Sequence, residues 1–190
     1  AEDAIKEFPA DYWRYWLMAN APEASDSSFT IERFVNTINK DLNGVLGNFA
    51  QRVMKMTASK LGETVPAGGE LEPVDAEMIA AVQARVDDYF KYMNELEFRK
   101  AVTELRAIWV EGNNYITKTE PWTVIKEDAK RAATILRLCL NLVRIYAILS
   151  APLLPDTAAK IMAKFGLTVQ DMPSLKGFDV AEEISALPAG

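Results

Sequence analysis

The sequence predicts an all-α protein, a helical bundle with an irregular C-terminal tail. Apolar residues recur at helical spacing along nearly the whole chain, without the sustained alternation of apolar and polar residues that is typical of strands. The 190 residues are 49% hydrophobic and 25% charged, which is the composition of a globular protein. Short segments rich in glycine and proline separate the helical stretches. These three observations together favour a bundle.

The first predicted helix lies in the aromatic segment PADYWRYWLMAN, which precedes the polar loop APEASDSS. The second and longest predicted helix has Thr30 as its N-cap and ends at Gly62. Its apolar residues fall on one face, as expected for a helix that packs on a core. They are Ile31, Phe34, Val35, Ile38, Leu42, Val45, Phe49, Val53 and Met56.

The linker ETVPAGGELEPV precedes a third helix, for which Asp75 is the predicted N-cap and which breaks near Asn94. A fourth helix covers LEFRKAVTELRAIWVEGNNYITKT. Pro121 suits the first turn of a fifth helix, because a proline there lacks only an N–H that has no partner. That helix is predicted to continue to Ser150. A short helix in DTAAKIMAKFG follows, and the tail from Leu167 is predicted to be irregular.

The residue types exclude several kinds of chemistry. Histidine is absent, which removes the usual general base, the commonest zinc ligand and every Ser-His or Cys-His pair. The single cysteine, Cys139, lies in an apolar helical run, so we expect a buried thiol and a reducing, cytoplasmic setting. Asn141 and Arg144 interrupt the apolar stretch LCLNLVRIYAILSAPLLP, which favours a core helix over a membrane span. Catalysis by this chain alone, a metal site and a membrane partner are therefore not expected.

The net charge of −6 argues against a general nucleic-acid binder, whose affinity comes mainly from phosphate neutralisation. The charges are unevenly distributed, however. Residues 30–61 contain five basic and two acidic residues, and residues 126–144 again contain five and two. The sequence therefore predicts two locally basic helices on an acidic molecule.

The stretch LGNFAQRVMKM in the long helix contains residues that lower helix stability. Asn48 and Arg52 are four residues apart and so neighbours on one face, with Lys55 one turn further. Gly44 and Gly47 lie on or next to that face, and each costs roughly 0.5 to 1 kcal/mol relative to alanine. Two interpretations remain open: another helix packs closely through the glycines, or the exposed face admits a ligand.

The segment GNNYITKTEPW is the second unusual stretch. Its tryptophan, Trp122, directly follows Pro121 at a helix start. The indole either closes the end of the bundle or offers a face on which a nucleobase can stack, worth about 1 to 3 kcal/mol per base. In the second case, amide and guanidinium groups nearby would read the edges of unpaired bases.

Three segments in this order, DYWRYWLMANAPEASDSSF, RFVNTINKDLNGVLGNFAQRV and NNYITKTEPW, resemble the C-terminal half of bacterial methionyl-tRNA synthetases, which are class I aminoacyl-tRNA synthetases. The resemblance covers roughly residues 12–166. It implies a remnant of the stem-contact region in residues 1–24, a helical anticodon-binding domain of the class I type in 25–166 and a C-terminal tail in 167–190. The HIGH and KMSKS motifs of the catalytic domain are absent. The resemblance therefore implies a fragment that is inactive alone.

The resemblance also implies site residues. Trp122, after Pro121, matches the family tryptophan that stacks on an anticodon base. Asn48 and Arg52 match the asparagine and arginine that hydrogen-bond anticodon bases. Asn113 matches the asparagine of the family's N-x-Y element, which is expected to support the neighbouring loop.

Two lysines are candidate phosphate contacts. TKTEPW replaces the DETAPW type that is common in the family, which brings Lys118 close to the expected RNA. Lys55 lies one turn beyond Arg52 on the long helix.

The function implied is recognition of the CAU anticodon of methionine tRNA, with that tRNA and the chain's own catalytic domain as partners. The parent enzyme would ligate methionine to tRNA with ATP and Mg, while no cofactor is expected in this fragment. Two alternatives remain open. One is the anticodon-binding domain of a related class I synthetase, for valine, isoleucine, leucine or cysteine. The other is a helical protein-interaction module without RNA binding.

Overall fold

The structure is a computed structural model that describes residues 6–23 and 28–190. All regular structure in these residues is helical, as predicted. The polar loop APEASDSS lies partly outside them, and the predicted domain limit at residue 24 lies outside them. The elements are α1 (Ala10–Ala19), α2 (Ile31–Ile38), a π-helix (Asn39–Gly47), α3 (Asn48–Leu61), α4 (Pro73–Asn94), α5 (Phe98–Thr119), α6 (Pro121–Val124), α7 (Ala129–Ser150), α8 (Pro155–Ala163), a 3₁₀ turn (Val169–Asp171) and α9 (Val180–Glu183).

Helix α7 is the centre of the bundle and packs against α3, α5, α6 and α8. It is buried continuously from Leu138 to Ser150. Among the described helices it alone is long and apolar enough to cross a membrane, yet 89% of its apolar window is buried inside the protein. The interpretation of this stretch as a core helix is confirmed. Helices α4 and α5 form an antiparallel pair, with Glu77 opposite Lys118 and Arg85 opposite Glu104.

The second predicted helix runs unbroken from Ile31 to Leu61, although its centre is π-helical. The Thr30 hydroxyl accepts a hydrogen bond from the Arg33 N–H (3.2 Å), and the helix ends at Gly62 with a φ of +100°. Both predicted ends are confirmed. The π-helical centre has no counterpart in the sequence prediction.

The predicted start of the third helix is wrong by three residues. Helix α4 begins at Pro73 with Glu72 as its N-cap, and Asp75 is already inside the first turn. The Asp75 carboxylate accepts a hydrogen bond from the Glu72 N–H (2.9 Å), which closes a capping box. Asp75 therefore takes part in the capping from the third helical position. An acidic residue is typical of both the N-cap and the third position, so the sequence does not distinguish Glu72 from Asp75 as the N-cap.

The predicted continuous helix from Pro121 to Ser150 is also wrong. Pro121 does open a helix, as expected, but α6 ends at Val124. Helix α7 starts anew after Asp128, whose side chain accepts a hydrogen bond from the Arg131 N–H (2.9 Å). This N-cap satisfies donors of the new helix and fixes the break between α6 and α7.

The C-terminal tail has little regular structure, as predicted, yet it is packed firmly on the bundle. The Leu187 N–H donates to the Asn141 side-chain oxygen (2.9 Å), and Arg144 forms an ion pair with Glu183 (2.6 Å). Asn141 and Arg144, which interrupt the apolar stretch of α7, therefore both anchor the tail. The buried apolar residues of the tail are Phe178, Val180, Ile184 and Leu187.

Candidate nucleic-acid interface

The two glycines of the long helix are explained by the π-helix itself. A Cβ built on Gly47 would lie 3.0 Å from the Leu42 carbonyl oxygen, and one built on Gly44 would lie 3.2 Å from the Asn39 carbonyl oxygen. Both neighbours lie five residues earlier in the same helix. Among the described residues, no atom of another element lies within 4 Å of either built Cβ. The interpretation that another helix packs closely through these glycines is therefore wrong.

A shallow, open depression lies on the solvent side of the π-helix. Its lining residues carry side-chain amides or no side chain, and none of them is charged. They are Asn39, Asn43, Gly44, Gly47, Asn48 and Gln51. The Asn43 amide N–H donates to the Asn39 side-chain oxygen (2.9 Å), so two of the amides form a pair.

Arg52 and Trp122 are in direct contact, although they are 70 positions apart in the chain. The guanidinium carbon of Arg52 lies 4.6 Å from the centroid of the Trp122 ring, which is a cation–π contact. Both side chains are half-buried, and Asn48 is exposed one turn before Arg52. The fold thus brings the predicted indole, guanidinium and amide to one side of α3.

The junction of α5 and α6 positions the indole. Glu120 has a left-handed backbone with a φ of +42°, which ends α5 and redirects the chain. Pro121 is buried at the first position of α6, while the Trp122 ring packs against the core and stays half-exposed. The buried proline fixes the backbone before Trp122, and the core contact fixes its ring. The exposed part of the ring therefore faces solvent without any change of the backbone.

Asn113 lies inside α5 and not in a loop. Its amide N–H donates to the Trp109 carbonyl oxygen of the same helix (3.2 Å), so in this structure it supports α5. The preceding residue, Gly112, is where α5 packs against α3: a Cβ there would lie 2.7 Å from the Phe49 ring. Asn113 is thus the residue after the one at which α5 approaches α3.

The two candidate lysines differ in their surroundings. Lys118 forms an exposed ion pair with Glu77 of α4 (2.8 Å), in a depression that Glu111 also lines. At about 100° per residue, Lys118 lies about 140° around α5 from Asn113, on the side that faces α4. Lys55 is exposed on α3 and forms no ion pair with any described residue. Only Lys55 shares the face of Asn48 and Arg52.

The arginines of the second basic segment do not form a basic surface. Arg131 makes a two-fold ion pair with Asp75 (2.6 and 2.7 Å), Arg137 donates to the Pro66 carbonyl oxygen (3.0 Å), and Arg144 is paired in the tail. The expectation of a second locally basic helix is therefore wrong for these three residues, because each is used inside the fold.

The Asp75 pair belongs to a buried polar cluster that sequence reasoning missed. The Tyr115 hydroxyl donates to the Asp75 carboxylate (2.6 Å), at an oxygen that also accepts from Arg131. Burial acts to raise the pKa of Asp75, but the hydrogen bonds from Arg131 and Tyr115 outweigh it, so this pKa lies below its ordinary value. The partners come from three helices, and no local sequence signal connects them.

Cys139 is fully buried, and burial raises the pKa of its thiol far above the ordinary value. The thiol therefore stays protonated and unreactive, as the sequence predicts. Within the described ranges, no group of three or more His, Cys, Asp or Glu side chains is arranged to hold a metal ion.

Comparisons with known proteins find matches along the chain. A family model described as the anticodon binding domain of methionyl tRNA ligase matches residues 65–190, and one described as class I tRNA synthetases (M) matches residues 1–54. The methionine-tRNA ligases of Cereibacter sphaeroides (strain ATCC 17025) and Dinoroseobacter shibae are each 49% identical over 189 residues, which are 100% of this chain and 32% of theirs. The chain thus spans about a third of the length of these relatives.

Solved structures agree with these matches. Methionyl-tRNA synthetase from Mycobacterium tuberculosis, in complex with methionyl-adenylate, superposes with a TM-score of 0.85 at 27% sequence identity. The superposition covers 99% of this chain and 36% of that one.

Proposed function

Because the chain belongs to the family of methionyl-tRNA ligase anticodon-binding domains, we propose that it recognises the CAU anticodon of a methionine tRNA. The observation that carries the proposal is the convergence of Trp122, Arg52 and Asn48 on one side of α3. An indole, a guanidinium and an amide are the groups that stack on unpaired bases and read their edges.

Each group has a distinct part in this recognition. The Trp122 ring stacks on one anticodon base, and Pro121 fixes the start of the short helix that carries the ring. Arg52 covers one face of the indole, so the base uses the other face or displaces the guanidinium. Asn48 offers a donor and an acceptor to a neighbouring base. Asn113 supports α5 through its bond to the Trp109 carbonyl oxygen, and Lys55 neutralises a phosphate.

Lys118 has a smaller part in the proposal. Its ion pair with Glu77 compensates its charge, so contact with a phosphate requires that this exposed pair opens. Exposed ion pairs of this kind are worth about 0 to 1 kcal/mol, so opening costs little.

The activity of the parent protein is part of the same proposal. We assign to the remaining two-thirds of the parent chain the ATP- and Mg-dependent activation of methionine and its transfer to tRNA, in the cytoplasm. The support is the name of the relatives and the methionyl-adenylate in the M. tuberculosis structure. Residues 1–24 would then belong to the stem-contact region, 25–166 to the anticodon-binding domain and 167–190 to its tail. The methionine-specific matches favour this function over the valine, isoleucine, leucine and cysteine enzymes and over a protein-interaction module.

Titration of the chain with a CAU anticodon hairpin tests the proposal. Trp122→Ala should weaken binding by about 1 to 3 kcal/mol, the value of one lost stack. Tyr92→Ala is a matched control, because Tyr92 is also a half-buried aromatic residue in cation–π contacts, with Lys91 and Lys100. Tyr92 lies in the last turn of α4 and contacts Lys100 at the start of α5, about 30 Å along the α5 axis from Trp122.

The control variant should bind the hairpin like the unchanged chain. Equal affinity of the Trp122→Ala variant and the unchanged chain for the CAU hairpin would contradict the proposal. Hairpins with valine, isoleucine, leucine or cysteine anticodons serve as competitors. If any of these hairpins bound more tightly than the CAU hairpin, the domain would be assigned to the synthetase for that amino acid and not to the methionine enzyme.

A further inference from the structure

The buried carboxylate of Asp75 joins two points of the chain that lie on either side of Trp122. The Tyr115 hydroxyl donates to it (2.6 Å) from near the end of α5, seven residues before Trp122. The Arg131 guanidinium donates to both of its oxygens (2.6 and 2.7 Å) from the first turn of α7, nine residues after Trp122. One carboxylate therefore holds both ends of the segment 115–131, in which the short helix α6 carries the indole.

Few other polar contacts hold this segment. Within the described chain, Lys118 is the only residue between Tyr115 and Arg131 whose side chain hydrogen-bonds to another helix, and its partner Glu77 is exposed. Helix α6 has four residues, and a helix of that length is not stable by itself in water. The orientation of the Trp122 ring therefore depends on its core contact and on the two ends of the segment.

The Asp75 cluster, which consists of Asp75, Tyr115 and Arg131, is saturated with hydrogen bonds. With the Glu72 N–H (2.9 Å), the carboxylate accepts four hydrogen bonds, which is about its full capacity. A saturated buried network favours one arrangement of its members, because any other leaves a polar group without a partner. The carboxylate has no free acceptor for a ligand, so its part in binding is indirect.

The Asp75 cluster lies close to the contact between Arg52 and Trp122. Burial is the main cause that raises the pKa of the Cys139 thiol on α7, but the Asp75 charge raises this pKa further and the Arg52 charge lowers it. Both charges therefore lie near one buried thiol of the central helix. The Asp75 cluster and the Arg52–Trp122 contact are neighbours in the bundle.

We infer that Asp75 is a positioning residue for the proposed anticodon site: by binding Tyr115 and Arg131, it fixes both ends of the segment that carries Trp122. This role rests on the proposed function and adds to it a group that does not touch the RNA. The Asp75 cluster keeps the indole against Arg52 in the unbound protein, so the hairpin does not have to order the ring when it binds.

Tyr115→Phe tests this role with a small change, because it removes one hydroxyl and no charge. The CAU hairpin should bind about 3- to 10-fold more weakly, the effect of reducing the fraction of molecules with an ordered Trp122 ring to about a third to a tenth. The matched control is Tyr89→Phe, which removes a buried hydroxyl that donates to the Leu149 carbonyl oxygen (3.0 Å). Tyr89 lies about 21 Å along α4 from Asp75, so the control should bind the hairpin like the unchanged chain.

Two readouts distinguish positioning from a general loss of stability. Once Trp122 is alanine, Tyr115→Phe should weaken binding no further, because it acts only through that ring. In the chain labelled with 5-fluorotryptophan, the fluorine NMR signal that is missing from Trp122→Phe belongs to Trp122. Without RNA, Tyr115→Phe should shift or broaden that signal and leave those of the other three tryptophans unchanged. Asp75→Asn, which loosens both ends of the segment, should change it more.

Circular dichroism should show native helix content in Tyr115→Phe and Tyr89→Phe. Unchanged affinity and an unchanged Trp122 signal in Tyr115→Phe, together with weakened binding by Trp122→Ala, would overturn this inference alone. An equal loss of affinity in Tyr89→Phe, or a further loss in the double variant, would also overturn it, since the effect would then come from general destabilisation. If Trp122→Ala bound the hairpin normally, the proposed function would fail, and this inference with it.

Discussion

Arg52 combines a contact within the protein with its proposed role in binding RNA. Its guanidinium lies over the Trp122 ring, which orders both side chains before a ligand arrives. The face of Asn48 and Arg52 follows directly from their spacing on a helix, so this part of the site could be predicted from the sequence. The contact between Arg52 and Trp122 could not, because it depends on how α6 packs against α3.

Replacement of Arg52 separates the two roles. Arg52→Ala should lower the free energy of unfolding by only about 0.5 to 1 kcal/mol, the value of one exposed cation–π contact. It should also weaken binding of the CAU hairpin and blur the preference at one base. Arg52→Lys should retain part of the contribution of the charge to hairpin affinity but little of the base preference, because lysine lacks the planar set of N–H donors of a guanidinium. Hairpin titration and urea unfolding measure the two effects.

Lys60→Ala controls for loss of charge, since Lys60 is an exposed residue near the end of the same helix. It should cause a small, sequence-independent loss of affinity. If Arg52→Ala lowered stability and left the affinity for the hairpin unchanged, Arg52 would be a packing residue only.

At the scale of elements, the π-helix was hidden from the sequence because its backbone dihedrals are close to those of an α-helix. Asn39 has φ and ψ of −64° and −43°, and Gly47 has −64° and −42°. The apolar residues of the segment still face the core, so the pattern of the long helix is preserved. The two glycines indicated an unusual local structure. The sequence did not show that the backbone carbonyls five residues earlier, of Asn39 and Leu42, are what a side chain would approach too closely.

Gly47→Ala tests this explanation of the glycine. In the interior of an ordinary α-helix, this change should raise the free energy of unfolding by about 0.5 to 1 kcal/mol. At Gly47 the added Cβ meets the Leu42 carbonyl oxygen at 3.0 Å, so we expect no gain or a loss of stability. Ala58→Gly, at an exposed α-helical position of α3, provides the reference cost in the same helix. A full gain of stability in Gly47→Ala, measured by urea unfolding, would contradict the explanation.

The ends of the other helices could be predicted where a single capping residue marks them and no apolar pattern indicates a different end. Thr30 and Gly62 are such signals, and both were located correctly. The break between α6 and α7 was missed because the apolar pattern continues across it, while the Asp128 cap that causes it is only one of several polar residues there. Where an N-cap residue and a continuing apolar pattern indicate different helix limits, the sequence alone does not decide between them.

In the whole molecule, the arginines of α7 connect the central helix to three separate parts of the chain. Arg131 binds Asp75 of α4, Arg137 binds the linker at Pro66, and Arg144 binds Glu183 of α9. The sequence showed only that this segment is basic. Each partner lies at least 39 positions away, so whether these charges face solvent or the fold could not be predicted without the tertiary structure.

The Asp75 cluster makes the stability of the whole bundle depend on pH in a defined direction. The pKa of Asp75 lies below its ordinary value, so the folded protein binds fewer protons at this site than the unfolded chain does near pH 4. The stabilisation is fully present above the ordinary pKa of about 3.9, and it is lost as the pH falls through the lower folded pKa.

Asp75→Asn should therefore change both the level and the pH dependence of stability. At pH 7 it leaves Arg131, whose side chain is 11% exposed, without its main partner, and breaking a buried pair costs about 3 to 5 kcal/mol. Below about pH 4 the variant should lose less stability than the unchanged chain, because it lacks the carboxylate that must be protonated. Urea unfolding between pH 7 and pH 3 measures both, with Asp88→Asn, an exposed change in the same helix, as the control. Parallel pH profiles of Asp75→Asn and the unchanged chain would show that the Asp75 cluster does not set the acid stability of the bundle.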